Sequence, residues 1–216
     1  MSASQHETAT VPPVLDHLIY RAPDLDAAIE QLAELLGVRP AMGGRHPGRG
    51  TWNALLSLGE RWYLEIIAPD PEQPPPPPNS PLGAPGGAAR LNTWAIRPPD
   101  IDATAARAIA AGIDLGPVRP MSRETAEGGL LEWRLTTGLR PEHGLVPFLI
   151  DWGETPHPAA STPAGCTLLG LRAEHPEPDL VRPALAALDL DLALSQGAAP
   201  ALIATIETPM GIVELR

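Results

Sequence analysis

The feature that most constrains this chain is a repeated order of elements keyed to an acidic helix start, because Pro-Asp-Leu-Asp at 23–26 returns as Pro-Asp-Ile-Asp at 99–102. An Asp carboxylate accepts the orphan amide hydrogens of a first helical turn, so each motif predicts an N-cap. Upstream of the first, Val14–Tyr20 reads as a strand. After it, Leu25, Ala28, Ile29, Leu32, Leu35 and Leu36 recur at spacings of three and four, and Gly37 supplies a left-handed stop. Two apolar runs, Thr51–Leu58 and Trp62–Ala68, flank Gly59-Glu60 as a hairpin. The second copy has a strand at Leu91–Arg97, a helix from Asp100 to Gly112, and strands at Leu130–Thr136 and Pro147–Trp152. A third, shorter copy runs from Thr167 to Arg216, with a strand to Ala173, a helix start at Pro178-Asp179-Leu180 whose first turns Pro183 interrupts, and strands at Leu202–Glu207 and Ile212–Leu215.

Self-similarity of this kind implies a repeated packing unit. The expected fold is α+β, with a flexible tail at 1–13, a first module at 14–68, a Pro-rich linker at 69–90, a second module at 91–153, a linker at 154–166 and a third, shorter module at 167–216. The run Pro74–Pro78 cannot donate ladder hydrogen bonds and favours an extended spacer. An odd module leaves a sheet edge to cover, so a homodimer is expected.

Charge and residue types exclude several functions. A formal net charge of -11 repels nucleic-acid phosphates and anionic lipid surfaces. All fifteen basic residues are Arg, which removes the Lys needed for a Schiff base or a Walker phosphate loop. Cys166, the single Cys, reads as a small buried hydrophobe, and with no Gly-x-Ser-x-Gly elbow nucleophilic hydrolysis lacks support. Met1–Pro13 has neither a basic start nor an apolar run, and no stretch reaches the roughly 20 apolar residues of a membrane span. The expectation is a cytoplasmic protein that handles a small molecule, without nucleic-acid or membrane partners.

Asp-His-Leu-Ile-Tyr at 16–20, the Pro-Asp-Leu helix start, Gly-Gly-Arg-His-Pro-Gly-Arg-Gly-Thr at 43–51, Asn53, Tyr-Leu-Glu-Ile-Ile at 63–67 and Pro-Phe-Leu-Ile-Asp-Trp at 147–152 together resemble the glyoxalase-like branch of the vicinal-oxygen-chelate superfamily. The resemblance spans roughly residues 14–160. It implies tandem βαβββ modules whose curved mixed sheets form a cleft, in which a divalent metal chelates neighbouring substrate oxygens. Members include isomerases, epimerases, extradiol dioxygenases, thiol transferases and metal-free drug-sequestering proteins, so fold alone does not choose the chemistry.

The resemblance places metal ligands on the first and last strands of a module, which here carry His17 and Glu65. Imidazole with carboxylate suits zinc, iron, manganese or nickel. Laying the second copy on the first sets Thr93 opposite His17 and Ile150 opposite Glu65, neither a strong ligand. In the third copy Glu214 falls opposite Glu65, so His17, Glu65 and Glu214 form a three-ligand set if copies one and three face each other, whereas if copy one faces copy two the site has two ligands and needs His46 or His157. Arg45 and Arg49 flank His46 in a Gly-rich segment that reads as an exposed loop able to clamp an anion. His46 is the candidate acid/base, since its ordinary pKa lies near neutrality. Thr51, Asn53, Trp52, Trp94, Trp152 and His157 are expected to line the cleft, whereas His143 reads as a surface residue. The leading expectation is a metal-dependent lyase, isomerase or dioxygenase acting on a small oxygen-rich anion. The alternative is a metal-free binding or sequestering protein with the same cleft.

Overall fold

The computed structural model describes residues 10–76, 87–124, 129–138 and 144–216. His6, His143 and the end of the proline run at Pro77 and Pro78 lie outside them. The first half runs β1 (Leu15–Arg21), α1 (Leu25–Leu36), β2 (Ala41–His46), β3 (Thr51–Ser57) and β4 (Tyr63–Pro69). The second repeats the order as β5 (Arg90–Ile96), α2 (Ile101–Ala110), β6 (Val118–Glu124), β7 (Leu130–Thr136) and β8 (Phe148–Asp151). These eight strands form one mixed sheet in the order β2-β3-β4-β1-β5-β8-β7-β6. β1 is parallel to β4 and antiparallel to β5. That central β1–β5 pair joins the two halves. The sheet curves until its outer strands approach, with the Arg123 guanidinium on β6 donating to the Gly43 carbonyl on β2. The shape is nearly a barrel.

Both expected caps form. Asp24 accepts from the Ala27 amide at 2.9 Å, and Asp100 accepts from the Ala103 amide at the same distance. Gly37 closes α1 at φ 69°, a left-handed conformation that favours glycine. Leu25, Ala28, Ile29, Leu32 and Leu36 are the buried face of α1, while Leu35 is exposed. Ile101, Thr104, Ala105 and Ala108 are the buried face of α2. Both helices pack on the outer face of the curved sheet against Leu18, Leu56, Leu64, Ile66, Trp94 and Leu149. The inner face carries a second cluster that includes Ile19, Leu55, Ile67, Phe148 and Ile150. Side chains alternate along each strand, so successive residues belong to opposite clusters.

After Pro158–Ala160, a single 3₁₀ turn, come β9 (Thr167–His175), α3 (Arg182–Ala187), β10 (Ala193–Gln196), β11 (Ala201–Thr208) and β12 (Gly211–Leu215). They form a separate four-stranded sheet, β10-β9-β11-β12. It shares the outer core through Cys166, Leu168, Ala173, Leu202 and Ile206, and the Leu168 amide donates to the Leu58 carbonyl at 3.0 Å. Asp179 does not cap a helix. Residues Pro178–Leu180 make one 3₁₀ turn, and α3 begins after it with Pro183 in its first turn. Proline lacks an amide hydrogen and is tolerated only there, so the helix starts beside Pro183 and does not run through it. The Gly-rich segment also differs from expectation. Its first part is strand β2, paired with β3 at Arg45↔Trp52 and His46↔Thr51, and only residues 47–50 turn. No described helix is long and apolar enough to cross a membrane.

Candidate functional site

The inner face of the curved sheet encloses a cavity of about 420 Å³. Every second residue of the central strands points into it: His17 and Ile19 from β1, Thr51, Asn53 and Leu55 from β3, and Tyr63, Glu65 and Ile67 from β4. The second half supplies Thr93 from β5, Trp133 and Leu135 from β7, and Phe148 and Ile150 from β8. Thr93 and Ile150 are the residues set opposite His17 and Glu65 by the sequence repeat. Asp151, one residue on, faces away and pairs with Arg134 at 2.7 Å. The lining is mostly apolar, with one polar wall.

Glu65 is the centre of that wall. Its Oε1 accepts from the Asn53 amide at 2.7 Å, its Oε2 lies 3.5 Å from His17 Nε2, and its Oε1 lies 3.9 Å from His46 Nε2. The second ring nitrogen of each histidine is engaged. His46 Nδ1 meets the Thr51 hydroxyl at 2.9 Å, and His17 Nδ1 meets Asp16 at 2.8 Å. Tyr63 stacks on the His17 ring with centroids 4.6 Å apart. Burial lowers the His46 pKa, the Glu65 charge raises it in part, and Arg123 and Arg49 lower it further. The net result is a neutral imidazole at pH 7. Burial also raises the Tyr63 hydroxyl well above its ordinary range, reinforced by the charges of Asp16 and Glu65.

Asp16 escaped the sequence reading. Adjacent residues on a regular strand face opposite ways, yet a β-bulge between Leu15 and His17 breaks the pairing with β5 and turns the fully buried Asp16 carboxylate toward the His17 ring. It also receives the Trp152 indole at 3.2 Å and His157 Nε2 at 3.1 Å. Burial pushes this carboxyl up, but hydrogen bonds from His157 and His17, with their charges, outweigh it and hold the group below the usual carboxylate range. Arg123, Met121 and Trp133 were also missed. They reach the cavity from β6 and β7, whose position beside the first half is set by sheet curvature, and no motif marks them.

Alternation corrects three expected lining residues. Trp94 follows Thr93 and so faces the helices, where it is fully buried and its indole donates to the Leu145 carbonyl at 2.9 Å. Trp52 lies between Thr51 and Asn53 and faces outward beneath the Arg45 guanidinium, 5.3 Å from its ring centre. Arg45 precedes His46 and therefore points away from the cavity, pairing with Asp70 and with Glu72. Arg49, in the turn, does line the cavity beside Met121. Trp152 lines it as well, and His157 packs behind Trp152 and Tyr63. Glu214 is not brought to this wall. It sits on β12 in the other sheet, half-exposed and paired with Arg172 and Arg216.

The donor set bears on the metal implied by the resemblance. Two ligands about 2.1 Å from one tetrahedral ion stand roughly 3.4 Å apart, a spacing His17 and Glu65 match and His46 and Glu65 exceed. Among the described residues no three His, Cys, Asp or Glu side chains stand where they could hold a metal ion. At the positions that match His17 and Glu65 the second half carries Thr93 and Ile150, neither a strong ligand. These residues do not make the chelate that the superfamily resemblance implies.

A curved sheet of two βαβββ halves around a shared inner cavity defines the vicinal-oxygen-chelate fold. Within that class, the family described as Glyoxalase-like domain matches residues 15–188, and the chain belongs to it. A comparison with curated proteins finds no match. Among solved structures, a hypothetical protein from Staphylococcus aureus is similar at 15% identity and a TM-score of 0.63, over 87% of each chain. Methylmalonyl-CoA epimerase from Mycobacterium tuberculosis is similar at 22% identity and a TM-score of 0.43, over 74% of this chain and 97% of that one.

Proposed function

We propose that this protein is an acid–base enzyme, an isomerase or lyase by reaction class, that moves a proton on a small molecule with an apolar body and an oxygen-bearing, anionic head. The observation that carries the reading is the Glu65 carboxylate held by Asn53 between His17 Nε2 and His46 Nε2, on the polar wall of a mostly apolar cavity. Glu65 takes a proton from carbon beside a carbonyl. Negative charge then develops on the carbonyl oxygen, where the neutral His46 ring donates through Nε2 when the Thr51 hydroxyl donates to Nδ1. Arg49 at the cavity mouth orients the anionic head, and Trp133, Trp152 and Phe148 enclose the apolar body. No step is assigned to a metal, because the donor set falls short of a chelate.

The test is hydrogen–deuterium exchange at the carbon next to the carbonyl in a panel of aryl- and alkyl-substituted 2-oxo and 2-hydroxy carboxylates, followed by NMR in D₂O. Enzyme-dependent exchange is expected, and Glu65→Gln should slow it by roughly 10²–10⁴-fold, the usual scale of general acid–base catalysis. Exchange abolished by a chelator and restored by zinc, iron, manganese or nickel would replace this reading with a metal-dependent one. Binding without exchange would support the second reading, a sequestering protein, which the apolar lining and the non-ligating Thr93 and Ile150 at the second-copy positions favour. The homodimer belongs to the same proposal, with edge strand β12 and its exposed Ile212 as the surface that pairing would cover. A monomer by light scattering would refute it.

A further inference from the structure

We infer that Asp16 is the positioning residue of this site: it selects the Nδ1–H tautomer of the His17 ring, the form in which Nε2 presents a lone pair to the cavity opposite Glu65. The inference rests on the acid–base role proposed for that wall, and it adds a requirement on the ligand.

The hydrogen-bond partners assign each hydrogen in turn. Asp16 is an ionised carboxylate and can only accept, so His17 Nδ1, 2.8 Å from its Oδ1, must be the donor. The Trp152 indole, a donor only, reaches both oxygens at 3.2 Å. On the other oxygen, His157 Nε2 stands at 3.1 Å, and the Ala159 amide donates to His157 Nδ1 at 3.3 Å. His157 therefore accepts on Nδ1 and donates from Nε2. Arg97 adds a positive charge 3.7 Å from the same oxygen. Each of these groups facing Asp16 is a donor. The His17 plane is held as firmly, between Tyr63 stacked at 4.6 Å and Phe148 edge-on at 5.5 Å.

The consequence appears across the 3.5 Å gap between His17 Nε2 and Glu65 Oε2. In the Nδ1–H tautomer, whose one hydrogen is committed to Asp16, this gap has an acceptor on each side and no hydrogen between them. A ligand that brings a hydrogen there, as a hydroxyl or enol, shares it between the two acceptors, whereas a bare carboxylate oxygen meets two lone pairs. The head group is therefore read with its hydroxyl at the His17–Glu65 gap and its anionic oxygens toward Arg49.

Long-range ¹H–¹⁵N correlation spectra of the histidine rings in the full, ligand-free chain, recorded in alkaline buffer, test this assignment. The expected result is a protonated Nδ1 and a bare Nε2 on His17; a hydrogen on Nε2 overturns the proposal. Asp16→Asn sharpens it, since the new amide must face one of the two imidazoles. His157 cannot accommodate it without turning Nδ1–H against the Ala159 amide, so His17 is expected to move its hydrogen to Nε2 while His157 keeps its own. Retention of Nδ1–H on His17 in that variant overturns the positioning role. If the variant does not fold, the wild-type spectrum decides alone. Failure here leaves the exchange test of Glu65→Gln untouched, so the two readings fall separately.

Discussion

Gly48 and Gly50 form a matched pair on which the packing at the cavity mouth can be measured. Both have left-handed backbones, φ 70° and 68°. An alanine there costs about 1–2 kcal/mol, of which the stiffer unfolded chain offsets about 0.4–1 kcal/mol. A Cβ on Gly48 meets no described residue within 4 Å, so Gly48→Ala should destabilise the protein by only about 1 kcal/mol. A Cβ on Gly50 would fall onto the Pro74 carbonyl oxygen, 2.7 Å from Pro76 N and 3.0 Å from the Pro75 carbonyl carbon. These are backbone atoms of a stiff proline segment and cannot rotate aside, so overpacking adds about 1–3 kcal/mol. Gly50→Ala is therefore expected to cost about 2–4 kcal/mol in total. Urea unfolding separates the two, since a difference of about 2 kcal/mol moves the midpoint by roughly 1 M. The effect should reach the site, because Gly50 leads into Thr51 and Asn53 and its carbonyl accepts from the Asp70 amide at 2.9 Å. Equal midpoints for the two variants would refute the packing of the proline segment on Gly50.

Other outcomes follow from the two faces of the sheet. Trp94→Phe leaves the Leu145 carbonyl without its donor and should lower stability by about 1–3 kcal/mol while 2-oxo carboxylate binding persists; Trp152→Phe should weaken that binding, as read by calorimetry. Arg45→Ala and Glu214→Gln should leave carbon exchange within about twofold of wild type, since neither side chain lines the cavity, and a larger loss in either would refute its placement. His46 has a folded pKa below its unfolded value near 6.5. The unfolded chain then binds more protons, so this contribution is intact above about pH 6.5 and is lost as pH falls below it. Asp16, also lowered, adds a second loss as pH falls below about 4. Urea midpoints from pH 7.5 to 3.5 should show both limbs, and His46→Gln should flatten the first.

Much of the architecture was legible because its causes are local. Asp24 and Asp100 cap helices through amides three residues away, and Gly37 stops α1 with a left-handed backbone angle that favours glycine. Asp179 failed as a helix start for an equally local reason, the missing amide hydrogen of Pro183. His17 and Glu65 could be paired in advance because a repeat with a resemblance named their strands, and Thr93 and Ile150 because the second copy is in register with the first. The aromatic residues were harder. Trp52, Trp94 and Trp152 look alike in a sequence, and only Trp152 faces the cavity, since one step along a strand changes the face.

The sequence alone determined two Asp-capped helices, the strands that flank them and the duplication, all consequences of spacing and short-range hydrogen bonding, while its resemblance to a family named the histidine and carboxylate that meet at the site. Tertiary structure decided which copy faces which. Pairing of β1 with β5 joined the first two copies around one cavity and left Glu214 on another sheet. It also decided that β2 curls His46 toward Glu65, and that a one-residue bulge turns Asp16 beneath His17. The physical reason is common to all three: sheet curvature and bulges arise from strand pairing between residues far apart in the chain, and no local pattern of residue types records them.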